Sequence, residues 1–429
     1  MTGIIEPRTA RHRPPHVERW PDVARTPRAP LRAAAARWLF RRLLRRLPIY
    51  ARLPGGVRLG TYRPGMPVLR IRRPRAFFHR VGAGGLIGFG EAYQAGDWDC
   101  ADPVGLITAF ARDVGALVPR PAQRLRRLYV RRPPADDDGD IAHARRNIAR
   151  HYDLSTDLFA LFLDPSMTYS AALFDPADTA PADDGPADGE RLHRAQLRKI
   201  DRLLDATGVG PGTRLLEIGT GWGELALRAA ARGARVESVT LSADQRDVAA
   251  RRVAEAGLAG RVDVRLCDYR QVEGVYDAIV SVEMIEAVGY RYWPAYFAAL
   301  ARLLAPGGRA GLQAITMPHD RMTAARGTHT WIQKYVFPGG LIPSVRAIED
   351  NAEACGLAVT DLRAFGPGYA ETLRIWRERF TARADELAGL GFDDTFRRTW
   401  QLYLAYSEAG FRAGYLDVHQ FLLTPEATP

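Results

Sequence analysis

Cysteine is scarce in this sequence, and long apolar runs are missing. The 429 residues include three cysteines, which are far apart and odd in number: Cys100, Cys267 and Cys355. They form neither a metal-ligand spacing nor a disulfide framework, so we expect reduced thiols and no metal site. No stretch reaches the roughly 18 uninterrupted apolar residues that a membrane-spanning helix needs. The basic, proline-rich N-terminus lacks a signal-peptide pattern. Together these absences predict a cytoplasmic protein.

Positive charge is abundant, with a net charge of +11 that favours an anionic partner. No stacking platform or known nucleic-acid-binding module accompanies it, so we expect no nucleic-acid partner. Residues 1–50 hold a basic tail, which is predicted to be disordered over 1–30 and helical over 31–47. The helix should place five apolar residues on much of one side: Leu31, Trp38, Leu39, Leu43 and Leu44. Such a helix suits an anionic lipid surface, or it packs on its own domain.

The composition divides the remaining chain into two domains. Short alternating runs broken by glycine, at 57–63, 68–72 and 82–90, predict strands and turns of a small α+β domain over 51–130, with a helix over 104–130. Residues 131–140 have two prolines, four acids and no apolar run, which is typical of a linker. A larger domain is predicted over 141–429, with a surface loop at 175–189.

A glycine-rich turn near residue 219 is the sharpest local motif. The apolar run 214–218 leads into Gly-x-Gly-x-Gly, and a helical stretch, 224–232, follows. This predicts a strand, a loop and a helix, with a ligand beyond the strand's carboxyl end. A dinucleotide loop requires Gly-x-Gly-x-x-Gly instead. The acid at Glu217, two residues before the first glycine, suits a cofactor without phosphate, whose ammonium and ribose need hydrogen bonds.

Further apolar runs continue the alternation of strands and helices. Strands are predicted at 236–242, 262–268, 276–282 and within 303–313, each separated by a helical stretch. The acid Asp268 closes the third strand, where it could contact an adenine amine. The order predicts an α/β fold with a mostly parallel, Rossmann-like sheet.

Several stretches outside the glycine turn are more specific. The segments at 88–98, 151–170, 240–245, 268–270, 282–289, 332–340 and 410–421 resemble the cyclopropane fatty acid and mycolic acid synthase family. The resemblance spans roughly residues 50–425. It implies a class I methyltransferase domain with inserted helices that build an acyl-chain tunnel, after a small N-terminal lipid-binding-like domain.

The same resemblance implies the cofactor and the substrate. S-adenosylmethionine would be bound by ten residues: Tyr169, Ser170, Glu217, Gly219, Gly221, Thr240, Leu241, Gln245, Asp268 and Tyr269. The acceptor would be the double bond of an unsaturated acyl chain on a phospholipid. The enzyme would then work peripherally at the inner face of the cell membrane. Members of the family are often dimers, so a homodimer is expected on that ground alone.

Alkene methylation creates a carbocation, which needs aromatic faces and nearby negative charge in a dry pocket. Glu286, after the fourth strand, is the favoured acid; otherwise it is a solvated helix residue. The candidate aromatic walls, each of which could equally be a core residue, are Tyr152, Trp331, Tyr335, Phe337 and Tyr369.

The chain departs from the family where a bicarbonate is usually held as the base for ring closure. Ala171 replaces a cysteine, Gln313 replaces a histidine, and Gly368 stands where a histidine often precedes the tyrosine. Glu286, Ile315 and Tyr369 remain. An alanine side chain donates no hydrogen bond and a glutamine amide cannot share a proton, so bicarbonate binding is in question.

Methyl transfer is therefore predicted, whereas ring closure stays open. The product could be a cyclopropane, a methylene or a methyl branch. The predicted catalytic set is Glu286, Tyr369, Gln313, Ile315 and Tyr335. The alternatives are a small-molecule or polyketide C-methyltransferase on the same scaffold, and a lipid-binding protein without activity.

Overall fold

The computed structural model describes residues 15–112, 155–175 and 188–426. Within these ranges the chain forms two compact units: one from residues 15–112 and Ala384–Tyr403, the other from 155–175, 188–383 and 404–426. The predicted linker at 131–140 and the aromatic candidate Tyr152 lie outside the described residues. The predicted domain borders stay a prediction, and the first unit includes a segment from late in the chain.

The helices and strands are numbered here in chain order. The helices are α1 (Pro21–Ala24), α2 (Pro30–Leu43), α3 (Pro74–Gln94), α4 (Pro103–Arg112), α5 (Thr156–Ala160), α6 (Asp188–Ala206), α7 (Glu224–Ala231), α8 (Ala243–Glu255), α9 (Ile285–Val288), α10 (Trp293–Leu303), α11 (His319–Ala325), α12 (Trp331–Tyr335), α13 (Val345–Glu353), α14 (Gly366–Ala382), α15 (Ala384–Gly389) and α16 (Asp394–Arg412). The strands are β1 (Tyr50–Arg52), β2 (Arg58–Leu59), β3 (Val68–Ile71), β4 (Trp98–Cys100), β5 (Arg214–Ile218), β6 (Arg235–Thr240), β7 (Val262–Leu266), β8 (Tyr276–Val282), β9 (Leu304–Thr316), β10 (Leu357–Ala364) and β11 (Asp417–Pro425).

The first unit packs helices on a small sheet whose described strands run in the order β2-β1-β3-β4. The prediction of strands and turns over 82–90 is wrong, because these residues lie inside α3. Their glycines serve close packing: a Cβ at Gly82 would lie 2.6 Å from the Arg32 carbonyl carbon of α2. Gly85, at φ +56°, kinks the helix. Glycine here serves a close helix contact and a helix bend. The alternating sequence pattern does not distinguish such glycines from glycines in turns between strands.

Helix α2 forms as expected, but its buried side differs from the predicted one. Ala33, Phe40 and Leu44 are buried, and the Phe40 ring lies 5.8 Å from Phe77 of α3. Three of the five apolar residues predicted to share one side, Leu31, Trp38 and Leu39, are exposed by 86%, 60% and 49%. The helix therefore packs on its own unit and still presents apolar side chains to solvent.

The second unit contains an α/β sheet whose described strands run in the order β10-β11-β9-β8-β5-β6-β7. The five strands from β5 to β9 are parallel wherever they pair, and β11 is antiparallel to both β9 and β10. This confirms the predicted mostly parallel sheet. Strands β10 and β11 were not foreseen.

Both faces of the larger sheet are covered, as parallel sheets require. Successive residues of β5 enter different cores because side chains alternate across a strand. Leu216 lies in a cluster with α10 and α13, whereas Leu215 lies in a cluster with α6 and α7. The carboxyl ends of the central strands are left as the place for a site. No helix in the described ranges is both long and apolar enough to cross a membrane.

Candidate active site

A cavity lies at the carboxyl ends of β5, β6 and β8, whose last residues Ile218, Thr240 and Val282 line it. Its other walls come from the loop before α6, the glycine turn after β5 and the segment after β7. Parallel strands all point their carboxyl ends to one edge, so residues that follow different strands converge there.

The glycine turn needs three glycines for its backbone. Gly219, Gly221 and Gly223 have φ values of +100°, +52° and +91°, a region that other L-residues adopt only at a cost. A Cβ built at Gly221 would meet nothing within 4 Å. The turn therefore presents bare backbone to the cavity, and Gly223 starts α7.

Glu217 places a buried carboxyl group on the wall of the cavity. It is 3% exposed, and the Ser238 hydroxyl lies 2.5 Å from its Oε2. Burial raises the pKa of Glu217 to about 8, and the Ser238 hydrogen bond opposes this rise. A carboxyl group in this setting gains from added donors, which a ligand with hydroxyl or ammonium groups would supply.

Two further polar groups are held in place near the strand ends. Both oxygens of Asp268 accept hydrogen bonds from the Arg270 guanidinium, at 2.8 and 2.7 Å. The Thr240 hydroxyl donates to Gln245 Oε1 at 3.2 Å, and Ser242 caps α8. These bonds fix the side chains before any ligand binds.

The loop before α6 brings an aromatic ring to the cavity, and α6 itself brings a buried amine. The Tyr169 ring stacks on Trp376, with centroids 5.2 Å apart. The fully buried Lys199 donates to Ser170 Oγ at 2.6 Å, and burial lowers the pKa of Lys199 to about 8. An amine with this pKa is partly neutral near physiological pH.

All the residues predicted to bind the cofactor line this one cavity: Tyr169, Ser170, Glu217, Gly219, Gly221, Thr240, Leu241, Gln245, Asp268 and Tyr269. The structure thus brings together the whole predicted set, although its role in binding stays a prediction.

Glu283, which follows β8, holds a second carboxyl group at the cavity. Its Oε1 accepts hydrogen bonds from the Ala171 amide and from Gln313 Nε2, both at 2.8 Å. Its Oε2 accepts from the Tyr369 hydroxyl at 2.8 Å. Two of the predicted catalytic residues, Gln313 and Tyr369, therefore meet at an acid that was not predicted.

None of the five predicted catalytic residues is among the described residues that line the cavity: Gln313 and Tyr369 bond to Glu283, which does line it, and the other three lie apart. Glu286 Oε1 accepts from the Ile315 amide at 2.5 Å, so these two residues contact each other. Burial and the Glu283 charge raise the pKa of Glu286 to about 8. Tyr335 packs beside Trp331, with ring centroids 5.8 Å apart, and is not among the described residues that line the cavity.

Sequence reasoning missed Glu283 and Lys199, although each left a signal. Glu283 follows β8 directly, where side chains of an open parallel sheet face a ligand; Glu286 was preferred through the family pattern. Lys199 lies on the buried side of α6, with Gln196 and Leu203 at helical spacing. A lysine within an apolar helix face is seldom buried without a function.

The chain is similar to known proteins over most of its length. The family model for mycolic acid cyclopropane synthetase matches residues 140–421. Tuberculostearic acid methyltransferase UfaA1 of Mycobacterium tuberculosis is 55% identical over 417 residues, covering 96% of each chain. Cyclopropane-fatty-acyl-phospholipid synthase of Escherichia coli K12 is 33% identical over 357 residues, covering 83% of this chain and 87% of its own.

Two solved structures also match about two thirds of the chain. The cyclopropane synthase MmaA2 from Mycobacterium tuberculosis matches with a TM-score of 0.58 and 32% identity, covering 65% of this chain and 97% of its own. The mycolic acid cyclopropane synthase CmaA1, complexed with SAH and CTAB, matches with a TM-score of 0.58 and 33% identity over the same shares.

Proposed function

The chain belongs to the mycolic acid cyclopropane synthetase family and is an S-adenosylmethionine-dependent methyltransferase with the class I fold, and on this basis we propose that it methylates the double bond of an unsaturated acyl chain in a phospholipid. The observation that supports the proposal is one cavity lined by all ten predicted cofactor residues and by Glu283, whose carboxyl group accepts hydrogen bonds from Gln313 and Tyr369. The ten residues would bind the methyl donor, and the Glu283 carboxyl group beside them would stabilise a cation.

The residues present fit S-adenosylmethionine. Glu217 is a buried acceptor that lacks a cationic partner among the described residues, and it would accept from the ribose hydroxyls. Asp268 and Tyr169 would hold the adenosine, and the bare turn from Gly219 to Gly223 leaves room for the amino acid part. When bound, the cofactor supplies an electrophilic methyl group on a sulfonium sulfur.

The acyl chain would contact apolar side chains that line the cavity, among them Ile218, Met284 and Val288. Apolar side chains form no hydrogen bonds with the substrate, and around an alkene they would exclude water from the reacting carbons.

We further propose an uncyclised, methylene-branched product. Where ring closure in the family uses bicarbonate, this chain has Ala171 and Gln313, and Glu283 fills the space between them. The relative at 55% identity is named for methyl transfer, and the relatives at 31–35% identity include both cyclopropane synthases and probable fatty acid methyltransferases. A methylene forms by methyl transfer, a hydride shift to the neighbouring cationic carbon and loss of one proton, and it requires no reductant.

Vesicles of oleoyl phospholipid, incubated with the enzyme and methyl-labelled S-adenosylmethionine, test both proposals. Mass spectrometry should show an added CH₂ on the acyl chain, and NMR should show an exocyclic methylene. Cyclopropane resonances would refute the uncyclised product but leave alkene methylation intact. Label in small water-soluble acceptors but not in lipid would favour the small-molecule alternative.

The exposed side of α2 is proposed to bind the anionic surface that carries the substrate. Leu31 and Trp38 are exposed apolar side chains; Arg41 is exposed on the same helix, and Arg45 is exposed in the turn that follows it. The Arg42 guanidinium lies 5.7 Å from the Trp38 ring centroid. Apolar and basic side chains together suit the boundary between headgroups and acyl chains.

Vesicle sedimentation measures this contribution. Arg41→Glu with Arg45→Glu should weaken binding to phosphatidylglycerol vesicles by at least about 30-fold, since each basic residue contributes about 1 kcal/mol. Arg251→Glu with Arg346→Glu, both exposed on the other unit, makes the same change in net charge. An equal loss in this control would show that net charge, and not α2, governs binding.

A further inference from the structure

Glu283 adopts a backbone conformation that glutamate rarely takes. Its φ is +50°, in the left-handed region, and its own amide donates to the Gln313 carbonyl at 2.7 Å. For an L-residue this conformation costs about 1–2 kcal/mol. Strain of this kind is typical of sites whose side chain must point in one direction. Here the side chain points to the Ala171 amide and the Tyr369 hydroxyl, which donate to its two oxygens.

The donors around Glu283 are neutral and point at both oxygens. The Gln313 amide is itself held in place, because its Oε1 accepts from Gln420 Nε2 at 3.0 Å and its Nε2 also lies 3.2 Å from the Ala171 carbonyl oxygen. A carboxylate can only accept hydrogen bonds, so three converging donors favour its ionised form.

A second acid, Glu286, lies beside Glu283, and the negative charge is shared unequally between the two carboxyl groups. The pKa of Glu283 is raised, because burial outweighs the lowering by Lys199 and the three donors. Glu286 receives the Ile315 amide on one oxygen, and its Oε2 has no hydrogen-bond partner among the described residues. Two adjacent carboxyl groups cannot both ionise easily. Because three donors face Glu283 and one faces Glu286, the negative charge of the pair is assigned to Glu283 and the proton to Glu286.

We propose that the Glu283 carboxylate is the base that removes the last proton from the methylated acyl chain. The inference rests on the proposed function. In this step a C–H bond of the new methyl group breaks and its electron pair forms the carbon–carbon double bond of the methylene. The proton moves to a Glu283 oxygen, which becomes a carboxylic acid and later releases the proton to water. No added anion takes part.

The geometry also gives Glu283 an earlier task. A negative charge fixed by neutral donors lies beside the place where the acyl cation develops, and a preorganised charge stabilises it without reorganisation. Gln313 cannot accept the proton from Glu283, since an amide is not a base at neutral pH. The chain thus carries in its own sequence the anion that the reaction needs.

Two variants distinguish the charge of the Glu283 carboxylate from the volume that its side chain fills. In Glu283→Gln the amide fills the site without charge, and in Glu283→Gly the site is emptied and the backbone strain is removed. Both should lose about 100-fold or more in methylated lipid, as removal of a general base does. Added formate or bicarbonate should restore Glu283→Gly by at least tenfold and leave Glu283→Gln unchanged. Wild-type activity should not change in buffer freed of bicarbonate.

Readouts other than turnover show whether the variants remain intact. Calorimetry should find S-adenosylmethionine affinity within a few-fold of wild type, and thermal unfolding should show folded proteins. Glu237→Gln, an acid outside the cavity, is the matched control.

The outcomes separate the inference from the proposed function. Wild-type enzyme that methylates lipid only with bicarbonate present overturns the inference and leaves the function standing. Loss of activity in Glu286→Gln together with full activity in Glu283→Gln assigns the base to Glu286 and also overturns it. Wild-type enzyme that methylates no lipid alkene refutes both.

Discussion

Glutamine at position 217 is expected to remove the part of the pH dependence of cofactor binding that Glu217 causes. Glu217 is buried with Ser238 as its hydrogen-bond donor, and burial raises its pKa to about 8. The cofactor's hydroxyl groups should bind the ionised carboxylate best. Binding then requires the loss of one proton at any pH below 8, and affinity should rise with pH up to that value.

The magnitude follows from the pKa. Each pH unit below 8 costs about 1.4 kcal/mol, or tenfold in affinity, so wild type at pH 6.5 should bind about 30-fold more weakly than above pH 8. Glu217→Gln keeps the shape and loses the charge. Hydrogen bonds to a charged group contribute about 1.5–3 kcal/mol, so the variant should bind 10- to 100-fold more weakly at high pH. The two proteins should converge near pH 6.5.

Titration calorimetry in buffers of different ionisation enthalpy measures both affinity and released protons. The cofactor's own amino group also titrates near pH 8. It affects binding to wild type and to the variant equally, so the difference in affinity and proton release between the two proteins reports Glu217 alone. Glu237→Gln should behave as wild type, since Glu237 pairs with Arg265 outside the cavity. The reasoning would be refuted if wild type and Glu217→Gln showed the same change of affinity with pH and released the same number of protons.

Two further predictions concern stability. Gly82→Ala should destabilise the fold by about 1–3 kcal/mol through overpacking against Arg32. Gly84→Ala, whose nearest neighbour would be 4.0 Å away, should stabilise the fold by about 0.5–1 kcal/mol. Thermal unfolding of both variants checks this, and equal shifts in melting temperature would contradict it. Lys199 has a pKa of about 8 when folded and about 10.5 when unfolded, so the unfolded chain binds more protons between these values and stability rises with pH there. The difference in urea midpoint between wild type and Lys199→Met should therefore shift in favour of wild type from pH 8 to pH 10, and a constant difference would contradict the buried-amine interpretation.

The larger sheet was predictable because its signals are local. Each central strand is a short apolar run followed by a helix, and β8 has the predicted bounds, Tyr276–Val282. The cofactor residues could be named because they follow strand ends or match family motifs. The glycine-rich part of α3 could not be predicted, since Gly82 is required by the neighbouring α2 and Gly85 by a bend within the helix, and neither requirement shows in the strand-like pattern.

The acid site was only partly predictable for a similar reason. Gln313 and Tyr369 were recognised as family positions, but their common partner depends on a glutamate in a left-handed conformation at Glu283. No local propensity indicates such a backbone, because it is imposed by the surrounding sheet and loop. The family pattern pointed instead to Glu286, three residues further on.

The partners of the buried acids show why Glu283 suits a cation better than its neighbours do. Asp268 is paired with the Arg270 guanidinium, so its charge is largely cancelled. Glu283 is held by an amide, a carboxamide and a hydroxyl, which orient the carboxylate without neutralising it. The nearest described cation that lowers its pKa is Lys199, which donates to Ser170 and itself loses its proton readily. A negative charge kept in this way remains available to an acyl cation, and it is a base strong enough to take that cation's proton.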